Sequence, residues 1–272
     1  MSDNILLGAV AYDPKVVTIW EGIRDYFRGA GVDLDFALFS NYERQVAMLL
    51  EGKIDIAWNT PLGHVRVQKQ TGGKSRSLGM RDSDRDFHAK IVVRRDAGIR
   101  SIGELPGKTL AVGSRDSTQA RILPLHFLRA EGVAVDRIQL LPFDTDLGKH
   151  GDTGTSELDV LRALADGRAQ AGALGDLVWI NEQAAGRVDA RQLEVLWTTP
   201  GFDHCMFDAL PTLAETKVKA FQTALFAMSW ENPTHRRLLE LEGLRVWMPP
   251  REEGYASLRR ALDDPNNNGA GW

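Results

Sequence analysis

Strand-like and helix-like segments alternate from residue 5 almost to the end of this chain, and that alternation most constrains its fold. "NILLGAVAY" is a short apolar run. "PKVVTIWEGIRDYFRGAG" follows, with Val16, Ile19, Ile23 and Phe27 at helical spacing, Pro14 near its start, and Gly29 and Gly31 at its end. "VDLDFALFS" alternates as a strand. "NYERQVAMLLEGK" reads as a helix capped by Ser40 or Asn41 and closed by Gly52. "IDIAWN" is a third strand, and it runs directly into the helical "PLGHVRVQKQTGG". A βαβαβ order predicts a mainly parallel sheet with helices on both faces.

A second block repeats the pattern. "FHAKIVVRRD", "KTLAVGS", "DRIQLLPFD" and "AQAGALGD" read as strands, interleaved with helices at "DSTQARILPLHFLRAEG", "SELDVLRALADGR" and "LVWINEQAAG". Helices close the chain. This order predicts an α/β protein of two lobes, the second inserted in the first. Lobe 1 takes residues 1–90 and 200–272, lobe 2 takes 91–199, and a ligand cleft lies between them.

Composition narrows the function classes. The chain has 272 residues, 43% hydrophobic and 26% charged, as expected of an ordinary soluble protein. A net charge of −4 gives no electrostatic footprint for nucleic acid. The one cysteine, Cys205, excludes an intrachain disulfide. No run approaches the roughly 18–20 apolar residues of a membrane span. "MSDNILLGAVAYDPK" shows no basic, apolar leader, which points to the cytoplasm; a chain already relieved of a leader would belong in the periplasm. Oligomeric state is not encoded in any of these features.

Three stretches are more specific: "LLEGKIDIAWNTPLGHVRV", "KIVVRRDAGIRSIGELPGKTLAVGSRDSTQARILPLHFLRAEGV" and "SELDVLRALADGRAQAGALGD". Through them, over residues 5–230, the chain resembles the phosphate/phosphonate-type substrate-binding proteins of ABC transporters, which have the type II periplasmic-binding-protein fold. The resemblance implies a two-lobed protein that clamps a small anionic organic ligand (phosphonate, phosphate, sulfonate or carboxylate). It also implies an ABC permease as partner for an exported member.

Ligands of open α/β sheets bind at the carboxyl ends of strands, where helix N-termini offer free N–H groups. That rule selects Tyr12 after the first strand, and Asn59 and Thr60 at the third strand's end. In the second lobe it selects Ser114, Ser117, Thr118 and Gln119 in "GSRDSTQAR", Glu157 at a helix start, and Asp176 after "AQAGALG". His88 stands at the predicted lobe crossing. Capping alone also explains Asn59 or Thr60, and Asp116 or Ser117. "GSRDST" lacks the glycine and lysine spacing of a Walker loop. The chain departs from the family in "GTSELD", where Glu157 stands in place of a histidine, and in "QAGALGD", where Gln170 replaces an aspartate. A carboxylate at 157 would disfavour a dianion and favour a protonated or amine-bearing ligand.

The alternative reading is a cytoplasmic decarboxylase, lyase or hydrolase acting on a small, possibly aromatic, acid. Its catalytic set would be His88, His150, His204, Glu157 and Cys205. No cofactor is expected under the binding reading; the enzyme reading allows a divalent metal such as zinc. If His204 and Cys205 lie in a strand they face opposite ways, and His204 faces the ligand. Among the tryptophans, Trp179 is best placed to reach a ligand, and the terminal Trp272 could dock on the fold.

Overall fold

The computed structural model describes residues 4–265. Trp272 lies outside them. In chain order the elements are β1 (Ile5–Val10), α1 (Lys15–Gly29), β2 (Leu34–Phe39), α2 (Tyr42–Leu50), β3 (Ile56–Asn59), α3 (Pro61–Gln70) and β4 (Arg76–Arg81). Next come β5 (Ala89–Arg94), β6 (Thr109–Val112), α4 (Leu123–Ala130), β7 (Gln139–Pro142), α5 (Thr155–Ala165), β8 (Ala171–Gly175), α6 (Asp176–Ala184) and β9 (Leu193–Thr198). The chain ends with β10 (Met206–Ala209), α7 (Glu215–Phe226), α8 (Pro233–Glu242), β11 (Trp247–Met248) and α9 (Ala256–Asp263).

These elements form two units. The first holds residues up to Asp86 and Asp203–Tyr255; the second holds Phe87–Phe202 and α9. The sequence reading placed α9 with the first lobe. The helix instead packs on α4, inside the second unit. A helix after a chain crossing goes to whichever unit offers its apolar stripe a partner, and here the buried Leu258 and Ala261 form that stripe.

The first unit's sheet has the order β11-β4-β10-β3-β1-β2. β1 pairs in parallel with β2 and β3, as the βαβ pattern predicts. β10 then enters between β3 and β4, antiparallel to both. The short "MFDA" segment carries too little periodicity to announce this strand. The sheet is therefore mixed, not mainly parallel. Its core gathers Leu7, Ile56, Trp58, Phe207, Phe221 and Trp247. The Phe207 ring lies 4.3 Å from that of Trp58 and 5.3 Å from that of Trp247.

The second unit's sheet has the order β7-β6-β8-β5-β9, with β6 parallel to β7 and β8 and with β5 antiparallel to β8 and β9. Alternation along the strands divides its core. Ile91, Val93, Leu110 and Val112 face one layer, while Val92 and Ala111 face the other with Val160 and Leu164. β8 is all small, "AGALG" with one leucine. A Cβ at Gly172 would collide with Val160, so glycine there lets α5 lie close to the sheet. That packing carries the start of α5 to the carboxyl ends of β6 and β8.

Candidate functional site

In the second unit, two loops meet at those strand ends. After β6, Gly113 and Ser114 lead to a π-helical turn, Thr118–Ile122, which continues into α4. Ser117 caps this turn, its Oγ accepting from the Ala120 N–H at 3.1 Å. The wide turn is fixed by the Ile122 N–H donating to the Ser117 carbonyl at 3.0 Å, and such turns concentrate at functional sites. The loop before α5 folds over it with left-handed backbone at Asp146, Gly148, His150, Gly151 and Gly154. Asp116 anchors that loop: its Oδ2 accepts from the N–H groups of Gly148 (2.6 Å) and His150 (3.3 Å). Gly151 is required there, because a Cβ would strike the Ser117 hydroxyl.

Ser114, Thr118 and Ser156 are each about 1% exposed or less. None of their hydroxyls has a hydrogen-bond partner among the described residues. An unpaired buried hydroxyl is costly, and these three lie on the two segments that approach each other at Gly113. Ser156 approaches Gly113, where a Cβ would lie 3.0 Å from its Oγ. Sequence reasoning missed Ser156. It stands one residue before the expected Glu157, and the helix-start signal that marked Glu157 covered both.

Glu157 makes its hydrogen bonds within the second unit. It is buried, with Oε1 accepting from Gln119 Nε2 at 2.9 Å and Oε2 accepting from the Gly175 N–H at 2.9 Å. It ties the π-helical turn, α5 and β8 together. Asp176 opens α6 and pairs with Lys90 at 2.7 Å, while its Oδ2 accepts from the His88 N–H at 3.2 Å. The His88 ring donates through Nδ1 to the Thr199 carbonyl at 2.7 Å. These contacts join β5 to its neighbours. Trp179 is core, 5% exposed among Val160, Leu161 and Leu174. One turn into α6, it points back at the sheet.

In the first unit, Thr60 caps α3 and accepts from the Gly63 N–H at 3.3 Å, with Pro61 at the first helical position. Asn59 does not cap. Its Oδ1 accepts from Gln45 at 2.9 Å, and its Nδ2 donates to Asp208 at 2.8 Å. Asp208 also holds His64 Nδ1 at 2.8 Å, and His64 Nε2 lies 3.5 Å from Glu252. Glu252 in turn accepts from Ser77 and Gln68. Tyr12 is half-buried on the first unit's core, with Lys15 over its ring at 5.8 Å.

Burial opposes a charge on His64, yet the carboxylates of Asp208 and Glu252 prevail and push its pKa up to about 9. Hydrogen bonding and charge from His64 hold the Glu252 carboxyl low against its own burial. An unfolded histidine titrates near 6.5, so His64 stabilises the fold fully below about pH 6.5 and loses that effect as pH rises through about 9. The contribution is at most about 3 kcal/mol. Urea midpoints are expected to fall between about pH 7 and pH 9.5, with His64→Gln flattening the fall. An equally steep fall in the variant would place the titrating group elsewhere.

The catalytic alternative gathers in part. His204 Nδ1 lies 3.1 Å from Cys205 Sγ and 3.5 Å from Asp84. The expected opposite-face arrangement fails because these residues precede β10, where strand alternation does not apply. Ligand atoms of Asp84, His204 and Cys205 fall within 4.8 Å of one another, the spacing of a metal triad. However, both Asp84 oxygens already accept from Arg81, at 2.7 and 2.8 Å, and that cation holds the Asp84 carboxyl down at about 2 against burial. A metal there would have to displace a guanidinium. His88 and His150 have separate partners within the second unit. No helix among the described residues is long and apolar enough to cross a membrane.

Known proteins supply the context. A curated relative from Prochlorococcus marinus (strain MIT 9301), described as a "probable ABC transporter phosphite binding protein PhnD1", is 23% identical over 237 residues, 84% of this chain and 77% of its own length. The solved PhnD1 structure from that organism, in complex with methylphosphonate, superposes with a TM-score of 0.76 at 20% identity, covering 97% of this chain and 99% of that one. XAC2383 from Xanthomonas citri, solved bound to ATP, gives 0.76 at 19% identity over 96% and 99%. These likenesses show the type II periplasmic-binding-protein fold. Residues 9–255 match the family described as "ABC transporter, phosphonate, periplasmic substrate-binding protein", and the chain belongs to that family.

Proposed function

We propose that this protein binds a small phosphorus oxyanion as the substrate-binding component of an ABC transporter, with the hydroxyls of Ser114, Ser117, Thr118 and Ser156 as the anchor. One observation carries the reading: three buried, unpartnered hydroxyls sit together at a strand end and two helix starts. Hydroxyls donate to anionic oxygen without placing a fixed charge in the site. The helix starts add N–H donors and the positive ends of their dipoles. PhnD1, described as a "probable ABC transporter phosphite binding protein" and solved in complex with methylphosphonate, agrees with this chemistry. Thr60 and α3 give the first unit a comparable helix start.

Binding is favoured over catalysis because members of the alternative set are engaged in the fold. Glu157 is held by Gln119 and Gly175, His88 by Thr199, and His204 lies against Cys205 and the Arg81-paired Asp84. An ABC permease is the partner this function needs, and the periplasm of the family description replaces the cytoplasm as the proposed location. A ligand at a hundredfold excess over its Kd stabilises the native state by about 2.7 kcal/mol. Methylphosphonate or phosphite is therefore expected to raise the melting temperature by about 5 °C. No shift with any phosphorus or sulfur oxyanion would end this reading.

A further inference from the structure

The inference below rests on the oxyanion reading and specifies which oxyanion the site accepts. Gln119 is 5% exposed and lies beside Thr118 on the π-helical turn. Its Nε2 donates to Glu157 Oε1 at 2.9 Å and to the Gly151 carbonyl at 3.1 Å. Two acceptors therefore take both amide hydrogens. A flipped amide would set oxygen against oxygen, so the orientation is determined by its neighbours. Glu157 is itself fixed by the Gly175 N–H. Gln119 Oε1 is left buried, with no partner among the described residues.

That oxygen differs in kind from the hydroxyls of Ser114, Thr118 and Ser156. A hydroxyl donates or accepts as its ligand requires, but an amide oxygen only accepts. Gln119 directly follows Thr118 on the segment that carries two of these hydroxyls, so a ligand that fills the site and reaches its oxygen must bring acceptor oxygens for the hydroxyls and one hydrogen for Gln119. We infer that Gln119 is a specificity residue that selects an oxyanion carrying its own proton, a P–O–H group, over an equally charged oxyanion without one. A neutral amide suits this task, since a carboxylate in its place would repel the anion's remaining charge. Glu157 then acts through Gln119 as a positioning residue, because it holds the amide's hydrogens away from the ligand.

Methylphosphonate and methanesulfonate test this directly. They have similar size, and at about pH 5.5, below the second ionisation of a phosphorus oxyacid, each carries one negative charge. Only the phosphonate has a proton to give. Calorimetric titration of the wild-type protein is expected to show methylphosphonate binding about tenfold or more tighter, the effect of leaving one buried acceptor unsatisfied. Gln119→Met is expected to bring the two affinities within about twofold. If that variant does not fold, Gln119→Met with Glu157→Leu removes both partners of the bond and gives the same comparison. Wild-type affinities within about twofold of each other would overturn the inference and leave oxyanion binding intact. A variant that folds and keeps the full preference would overturn the role of Gln119. Failure of both ligands to bind would overturn the inference and the oxyanion reading together.

Discussion

Converting Ser114, Thr118 and Ser156 together to Ala, Val and Ala is expected to abolish oxyanion binding and to leave the protein at least as stable as before. Each hydroxyl that donates to a charged oxygen contributes about 1.5–3 kcal/mol. Losing three should cost roughly 4 kcal/mol or more, about a thousandfold in Kd. Stability should move the other way. The three hydroxyls are buried and have no partners among the described residues, so the fold carries their desolvation penalty without return. Apolar replacements remove that penalty, and the melting temperature should hold or rise by a few degrees. Calorimetry and thermal unfolding on the same sample check both arms. A destabilised variant that still binds methylphosphonate would show that these hydroxyls serve the fold instead.

Asp208→Ala is expected to cause the largest loss of stability, about 3–5 kcal/mol, the usual cost of removing one partner of a buried ion pair. Asp208 is fully buried and holds both the His64 imidazolium and the Asn59 amide. Its removal leaves a buried cation facing only Glu252 at 3.5 Å, and an Asn59 N–H group without its acceptor. Chemical denaturation at about pH 7, where His64 is charged in the fold, measures the loss. Adding His64→Leu to Asp208→Ala should recover part of it, since the stranded charge goes too. A single-variant loss below about 1 kcal/mol would mean that the network is worth little to the fold.

The strand "IDIAWN" shows how far local reading went. Its apolar run and the Thr60-Pro61 start of α3 are both explicit in sequence, and Thr60 does cap the helix. The destination of Asn59 was not explicit. Its partners are Gln45 on α2 and Asp208 on β10, 14 and 149 residues away. No periodicity links such positions, and β10 itself was too short to announce. In "GSRDSTQAR", sequence identified Ser114, Ser117, Thr118 and Gln119 as polar residues at a helix start. It could not show that the Ser117 hydroxyl accepts as a cap while those of Ser114 and Thr118 have no partner among the described residues. Glu157 was noticed because it stands where the family has a histidine, but its carboxylate is taken up by Gln119 and Gly175.

Sequence by itself determined the α/β alternation, the caps and the family, because each rests on patterns only a few residues long. Tertiary structure alone decided which buried polar groups were satisfied. Glu157, Asn59 and Asp84 found partners within their own units, whereas Ser114, Thr118, Ser156 and the Gln119 oxygen have none among the described residues. Hydrogen bonding is directional and short-ranged, so donors and acceptors from distant segments pair only after strands and helices have packed.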